Sequence, residues 1–344
     1  MEQRHERLVA LRRELHRHPE PAWCEYWTTS RLVEEIERIG VDELLVGPEL
    51  LAADARMAVP DDGTLGEWHD RARAAGARGD VLEQCAGGFT GALATIERGE
   101  GPTVALRVDI DALPITESDD ETHAPTEAGF RSGNEGYMHA CGHDAHVAFG
   151  VGVLEAVDES DFSGTFHVLF QPAEEVIGGG SAVAESGVLD DVDHLLALHV
   201  GLDHPTGEVV AGVNGFLAVR QFEAHFRGES AHAGGHPAAG RDAVQALATA
   251  VQNLHAIRRH EDGATRVNAG VVSGGTATNI VPESATIEGE VRGETTQLME
   301  YMSERADSVV EHAAGMHGCV SEVTTVARAP SAESDADLAD VVYA

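Results

Sequence analysis

Three short stretches of this chain carry side chains able to hold a divalent cation and activate water. The first is Asp109 and Asp111. The second is His139-Ala140-Cys141-Gly142-His143-Asp144-Ala145-His146. The third is Glu174-Glu175, with His199 further on. Together they offer thiolate, imidazole and carboxylate donors, the set used by zinc, manganese and related ions. Two adjacent carboxylates suit a division of labour, one binding metal and the other accepting a proton from water. A lone histidine after a strand, or a lone Glu-Glu pair, carries little by itself. The weight lies in their arrangement.

That arrangement follows from the elements that must carry them. Apolar spacing predicts helices over 4–18 and over Thr29–Ile39, the latter ended by Gly40. The Ala- and Arg-rich region 48–86 reads as an excursion with a helix near Leu65–Ala75. Strands are expected at Phe89–Ile96, Thr103–Ile110, Thr165–Phe170 and Leu195–His199, with a helix over 143–157. Strands alternating with helices imply an α/β unit with a mostly parallel sheet, and sites in such sheets form at the carboxyl ends of the strands. All three polar clusters fall there. From about Gly215 the order becomes strand, helix, strand, strand, helix, strand (Ala218–Arg227, Arg241–Ile257, Arg266–Ser273, Ala285–Arg292, Gln297–Ala314, Val320–Ala327), the ferredoxin-like split βαβ pattern. The expected domains are therefore 1–214, carrying the metal site, an inserted α+β domain at 215–329, and a return to the first domain beginning at 330–344.

Composition narrows the function. Of 344 residues, 59 are Asp or Glu against 23 Lys plus Arg, a formal net charge of −36, and no lysine occurs. A field this negative repels nucleic acid and anionic membranes and argues against both as partners. The acids are spread along the chain, which reads as a surface adapted to high salt. The melting temperature is accordingly expected to rise between ~0.1 M and ~1 M potassium chloride, as the Debye length falls from ~10 Å to ~3 Å; a flat or falling curve in a thermal scan would remove that reading. No apolar run is long enough for a membrane helix. The charged N-terminus does not read as a signal peptide, and four cysteines without a disulfide-framework spacing fit a reducing, cytoplasmic setting.

The stretches LRRELHRHPEPAWCE, RVDIDALPI, MHACGHDAHVAFG, FQPAEE and ALHVG resemble the metal-dependent amidohydrolases that include hippurate hydrolase, the indoleacetyl-amino-acid hydrolases and the aminobenzoyl-glutamate utilization hydrolase. The resemblance covers essentially the whole chain. The excursion and the stretch HAIRRHEDGATRVNAGVV are similar to the subgroup of the aminobenzoyl-glutamate hydrolase A subunit. The resemblance implies a zinc-peptidase-type catalytic domain with an inserted ferredoxin-like lid and dimerisation domain. It also implies two divalent metal ions, manganese or zinc foremost, and cleavage of an N-acyl amino acid, with p-aminobenzoyl-glutamate the first expectation. By the same resemblance Cys141, His143, Glu175 and His199 are metal ligands, Glu174 is the general base, and Asp111 orients the ligands. His232, Asn279 and Arg292 would meet the substrate carboxylate and the developing oxyanion, His232 often across a dimer interface. Family members continue past this point with another ligand histidine. No residue here matches it, so the last ligand is expected beyond Ala344. The expected partner is a second copy or a homologous subunit. Rival readings are a hippurate or indoleacetyl-amino-acid hydrolase, and a truncated, non-catalytic metal-binding subunit.

Overall fold

The computed structural model describes residues 2–201 and 204–343. The chain divides into two compact units, Met1–His204 and Pro205–Ala344.

In the first unit, α1 (Glu2–Arg17) and α2 (Tyr26–Ile39) precede the sheet. The excursion adds α3 (Asp62–Ala74) and α4 (Gly79–Gln84). A single turn, α5 (Ala124–Glu127), precedes α6 (His143–Asp158), and α7 (Gly179–Ser186) follows the fourth strand. Helix α2 buries Leu32, Val33 and Ile36, and it stops where Gly40 turns left-handed at φ 86° and bonds its N–H to the Ile36 carbonyl. Helix α3 starts at Asp61, whose carboxylate accepts the Gly63 and Thr64 N–H groups.

The strands are β1 (Glu43–Val46), β2 (Ala92–Glu97), β3 (Thr103–Asp109), β4 (Thr165–Gln171) and β5 (His194–Ala197), in the order β1-β2-β4-β3-β5. Strand β3 runs parallel to both β4 and β5, as the alternation of strands and helices requires. The pairs β1–β2 and β2–β4 are antiparallel, so the sheet is mixed rather than mostly parallel. Strand β1 has only four residues and lay hidden in the sequence for that reason. The parallel register sets Asp109 level with Gln171 and Arg107 level with Ala197. The chain leaving β3, β4 and β5 therefore emerges at one edge. Helix α6 lies close over this sheet because Gly150 has no side chain: a Cβ there would stand 2.8 Å from the Phe170 ring and 3.1 Å from Val108.

An ion-pair cluster joins α1, α2 and α6. Glu35 accepts from Arg7 at 2.6 Å, Arg31 at 2.7 Å and Arg38 at 3.1 Å, while Glu155 is shared by Arg4, Arg7 and Arg38. Burial works against the Glu35 carboxylate, but Arg31, Arg7 and Arg38 hold its pKa below the usual value. A depressed folded-state pKa stabilises above the unfolded value and is lost as pH falls through the folded one. Glu35→Gln is thus expected to cost about 1–3 kcal/mol near neutrality, allowing for the partly exposed arginines. The difference from wild type should vanish in acid, below the carboxylate's ordinary ~4.3, when denaturant midpoints are followed against pH.

In the second unit, β6 (Ala218–Arg227), β8 (Thr265–Gly274), β10 (Ser284–Gly293) and β11 (Val320–Ala329) form an antiparallel sheet in the order β11-β6-β10-β8. Helices α8 (Ala243–His255) and α9 (Thr296–Met316) close over a core that includes Phe222, Phe226, Leu254, Ile287, Met302 and Val310. Because β10 separates β6 from β8, the β6-α8-β8 segment is a split βαβ unit. A small ribbon pairs β7 (Ala231–His232) with β9 (Ile280–Val281), and α10 (Ala336–Tyr343) follows β11. Among the described residues no helix is long and apolar enough to cross a membrane.

Candidate metal centre

The edge shared by β3, β4 and β5 gathers the predicted donors of the first unit. His143 opens α6 directly after Gly142, which is left-handed at φ 79°. A Cβ on Gly142 would also stand 2.9 Å from Val200. His143 Nδ1 lies 2.9 Å from the Asp111 carbonyl oxygen and 3.2 Å from Asp111 Oδ1. A nitrogen bonded to a carbonyl oxygen must carry the proton, so Nε2 is the atom turned to a ligand. Asp111 Oδ2 accepts the Glu175 N–H at 2.9 Å. Asp111 thereby ties the His143 ring to the Glu174-Glu175 turn.

That turn is bracketed by two non-glycine residues in left-handed conformation, Ala173 at φ 54° and Ile177 at φ 56°. Such backbone strain collects at functional sites. From the turn, Glu174 Oε2 and Glu175 Oε1 lie 3.9 Å and 3.7 Å from His143 Nε2.

Three donor sets overlap at His143: Cys141, His143 and Glu175; His143, His146 and His199; and Asp109, His143 and Glu174. Within each set the donor atoms lie within 4.8 Å of one another. His143 Nε2, Glu175 Oε1 and both Asp109 carboxylate oxygens are buried without a hydrogen-bond partner among the described residues. Arg107 Nη2 stands 2.5 Å from Asp109 Oδ1 but outside hydrogen-bonding geometry. Burial pushes Asp109 up to about 7, pushes Glu175 upward, and, with Glu175 beside it, pushes the Cys141 thiol up to about 12. Burial also opposes a charged His143, yet Asp111 and the neighbouring acids push it up to about 9. Acids crowded into a buried spot with their lone pairs unused are what divalent cations satisfy. The donor set fits such ions.

Asp109 and His146 belong to this gathering, although the sequence alone gives neither of them a definite role. Asp109 is the last residue of β3, and His146 lies one helical turn after His143, which is the signal available in the chain. His146 Nε2 accepts the Val200 N–H at 3.0 Å, so its proton sits on Nδ1, 4.0 Å from Asp109 Oδ2. His146 thus holds the loop that carries His199. Behind the site, His16 is buried between two carboxylates, Asp144 at 2.8 Å and Glu117 at 2.9 Å. Arg12 reaches the same Asp144 at 2.8 Å.

His232, Asn279 and Arg292 lie in the second unit. His232 and Asn279 are brought together: Ala233 donates its N–H to the Asn279 carbonyl at 2.9 Å, beside the β7–β9 ribbon. His232 Nδ1 accepts from the Gly234 and Gly235 N–H groups at 3.1 and 2.9 Å. Its proton is therefore on Nε2, on an exposed ring able to donate. Arg292 stands on β10 with Nε and Nη2 engaged by Glu290 at 2.8 and 3.1 Å, so a substrate carboxylate would have to share or replace that contact.

Known proteins share this framework. The model of the family described as peptidase family M20/M25/M40 matches residues 105–340. Indole-3-acetyl-aspartic acid hydrolase of Enterobacter agglomerans is 44% identical over 327 residues, covering 94% of this chain and 75% of its own length. The A subunit of p-aminobenzoyl-glutamate hydrolase from Escherichia coli (strain K12) is 42% identical over 315 residues, covering 91% and 72%. Among solved structures, an aminobenzoyl-glutamate utilization protein from Klebsiella pneumoniae superposes with a TM-score of 0.86 at 36% identity, over 98% of this chain and 80% of that one. A dinuclear metal binding peptidase of the M20 family from Bacillus subtilis gives a TM-score of 0.65 at 28% identity, over 98% and 77%. The α/β sheet with its donor-lined edge, the split βαβ unit and the match over most of the chain agree: this chain belongs to peptidase family M20/M25/M40.

Proposed function

We propose that this protein is a metal-dependent amidohydrolase that releases an acidic amino acid from an aromatic acyl conjugate, with p-aminobenzoyl-glutamate as the first substrate to test. The observation that carries the reading is the convergence on His143 of three donor sets with orphaned buried atoms, next to the free carboxylate of Glu174. Two relatives support the substrate class, since one is named for an indoleacetyl conjugate of aspartate and the other for an aminobenzoyl conjugate of glutamate. The aspartate conjugate is the second reading, favoured by the 44% identity of that relative.

In this reading Cys141, His143, Glu175 and His199, with Asp109 beside them, hold two divalent ions, manganese or zinc. When bound, such ions polarise the amide carbonyl and make water acidic near neutral pH. Glu174 takes the proton from the attacking water and returns it to the leaving nitrogen. Asp111 keeps His143 Nε2 and the Glu175 backbone aimed at the site. His232 donates Nε2–H to the oxyanion. Asn279 and Arg292 receive the amino-acid carboxylate, Arg292 through its planar fork. A cytoplasmic setting completes the proposal, together with a partner that is either a second copy or a homologous subunit. The Escherichia coli relative is named as one lettered part of a hydrolase, which supports the homologous partner.

A panel of p-aminobenzoyl-glutamate, indoleacetyl-aspartate, hippurate and acetyl-amino acids tests the class. Equal or better turnover of acetyl-amino acids would overturn the aromatic, acidic preference. Arg292→Leu is expected to raise KM by roughly 10–100-fold, the worth of about 1.5–3 kcal/mol for a hydrogen-bonded charge, with kcat changing less. Steady-state kinetics decide, and an unchanged KM would remove Arg292 from substrate binding.

A further inference from the structure

The stretch Glu20–Glu25 sits behind the candidate site, and the mechanism above assigns it nothing. Both of its glutamates are buried. Glu20 accepts the Trp27 and Thr28 N–H groups at 2.9 and 2.8 Å, which satisfies the first turn of α2. Glu25 occupies the position immediately before α2, where a side chain ordinarily caps the helix, yet it makes no capping bond. Its carboxylate turns the other way. Oε1 accepts the N–H of Ala173 at 2.8 Å, and Oε2 accepts the Thr90 hydroxyl at 2.6 Å.

Ala173 is the strained residue that opens the Glu174-Glu175 turn. A non-glycine residue in that conformation costs roughly 1–3 kcal/mol and persists only where its surroundings hold it. The turn is held at both ends by buried carboxylates, Glu25 on the Ala173 N–H and Asp111 on the Glu175 N–H. The same stretch reaches the β3 tip as well, because Ala112 donates its N–H to the Glu20 carbonyl at 2.8 Å and Pro21 bridges to Ala112. One segment near the N-terminus thus braces the chain leaving β3 and the chain leaving β4.

We infer that Glu25 is a positioning residue for the reaction: through the Ala173 backbone it sets the direction in which Glu174 and Glu175 face the metal site. The inference rests on the amidohydrolase reading above. Burying a carboxylate is costly, and this one spends both its oxygens on the turn and the adjacent Thr90 rather than on its own helix.

The test uses three substitutions in the intact protein, each followed by kcat, KM, melting temperature and a direct manganese or zinc titration. Glu25→Gln keeps an acceptor for Ala173 and a partner for Thr90, and is expected to stay close to wild type. Glu25→Ala removes the acceptor and is expected to lower kcat and weaken metal binding by roughly 10–100-fold, with KM little changed. If the alanine variant does not fold, Glu25→Met, similar in volume but without the acceptor, takes its place with the same expectation. Thr90→Val removes only the bond to the far oxygen; it should lower the melting temperature and leave kcat and metal affinity near wild type. The inference is overturned if folded Glu25→Ala or Glu25→Met matches wild type in kcat and metal affinity. It is also overturned if Glu25→Gln is as impaired as they are, or if Thr90→Val lowers kcat as much. A wild-type protein that neither binds metal nor hydrolyses amides would instead sink the amidohydrolase reading itself.

Discussion

Glu174→Gln is expected to lower kcat by roughly 10²–10⁴-fold, the usual worth of a positioned general base, while the protein keeps its full complement of metal. The two adjacent glutamates are not equivalent in the structure. Glu175 has its backbone N–H fixed by Asp111 at 2.9 Å, shares a donor set with Cys141 and His143, and keeps one oxygen buried and unpartnered. Glu174 is more exposed, with its side chain 36% accessible against 16% for Glu175. A base must reach both the attacking water and the leaving nitrogen, which the freer carboxylate can do. Glutamine preserves the shape and removes the basicity. Elemental analysis beside single-turnover kinetics separates the roles: if metal disappears together with turnover, Glu174 is a ligand and the base lies elsewhere.

Chelation is the second large effect expected. Stripping divalent ions should abolish hydrolysis and lower the melting temperature, and adding back manganese or zinc should restore both. Ion present at 100 times its dissociation constant contributes about 2.7 kcal/mol to the folded state, a melting shift of roughly 5–10 °C for a unit of this size. Without ions, the acids around His143 face one another in a buried space, with both Asp109 oxygens lacking a hydrogen bond. Conversely, native protein with no tightly held transition metal and chelator-indifferent hydrolysis would end the reading. Adding each ion separately to the stripped protein also asks which one the mixed thiolate, imidazole and carboxylate set prefers.

Much of the site is legible in the chain, and the parts that are not have definite causes. The strand tips bearing Asp109, Glu174-Glu175 and His199 are visible because apolar strands end abruptly in polar residues. His143 is visible at the start of a helix because glycine precedes it. The membership of Asp109 and His146 is not. An aspartate at a strand end and a second histidine one turn along a helix have many ordinary uses, and only their distances to His143 and to the His199 loop separate these uses. In the sequence Arg292 reads as an open fork. Glu290, two residues away on the same face of β10, engages that fork, a contact set by strand periodicity and therefore available from the sequence. The mixed character of the first sheet is not available, since strand direction depends on how the excursion between β1 and β2 returns.

The sequence by itself determined the order and kind of the elements, the donor types and the acidic surface, because periodicity, turn residues and side-chain chemistry are local properties of the chain. Only the tertiary structure decided which donor atoms meet. His143 is aimed by Asp111, 32 residues away, and the Glu174-Glu175 turn is gripped by Glu25, 148 residues from Ala173. Contacts of that span depend on strand order, register and side-chain direction, which are settled only when the sheet closes over its core and every buried donor and acceptor must find a partner.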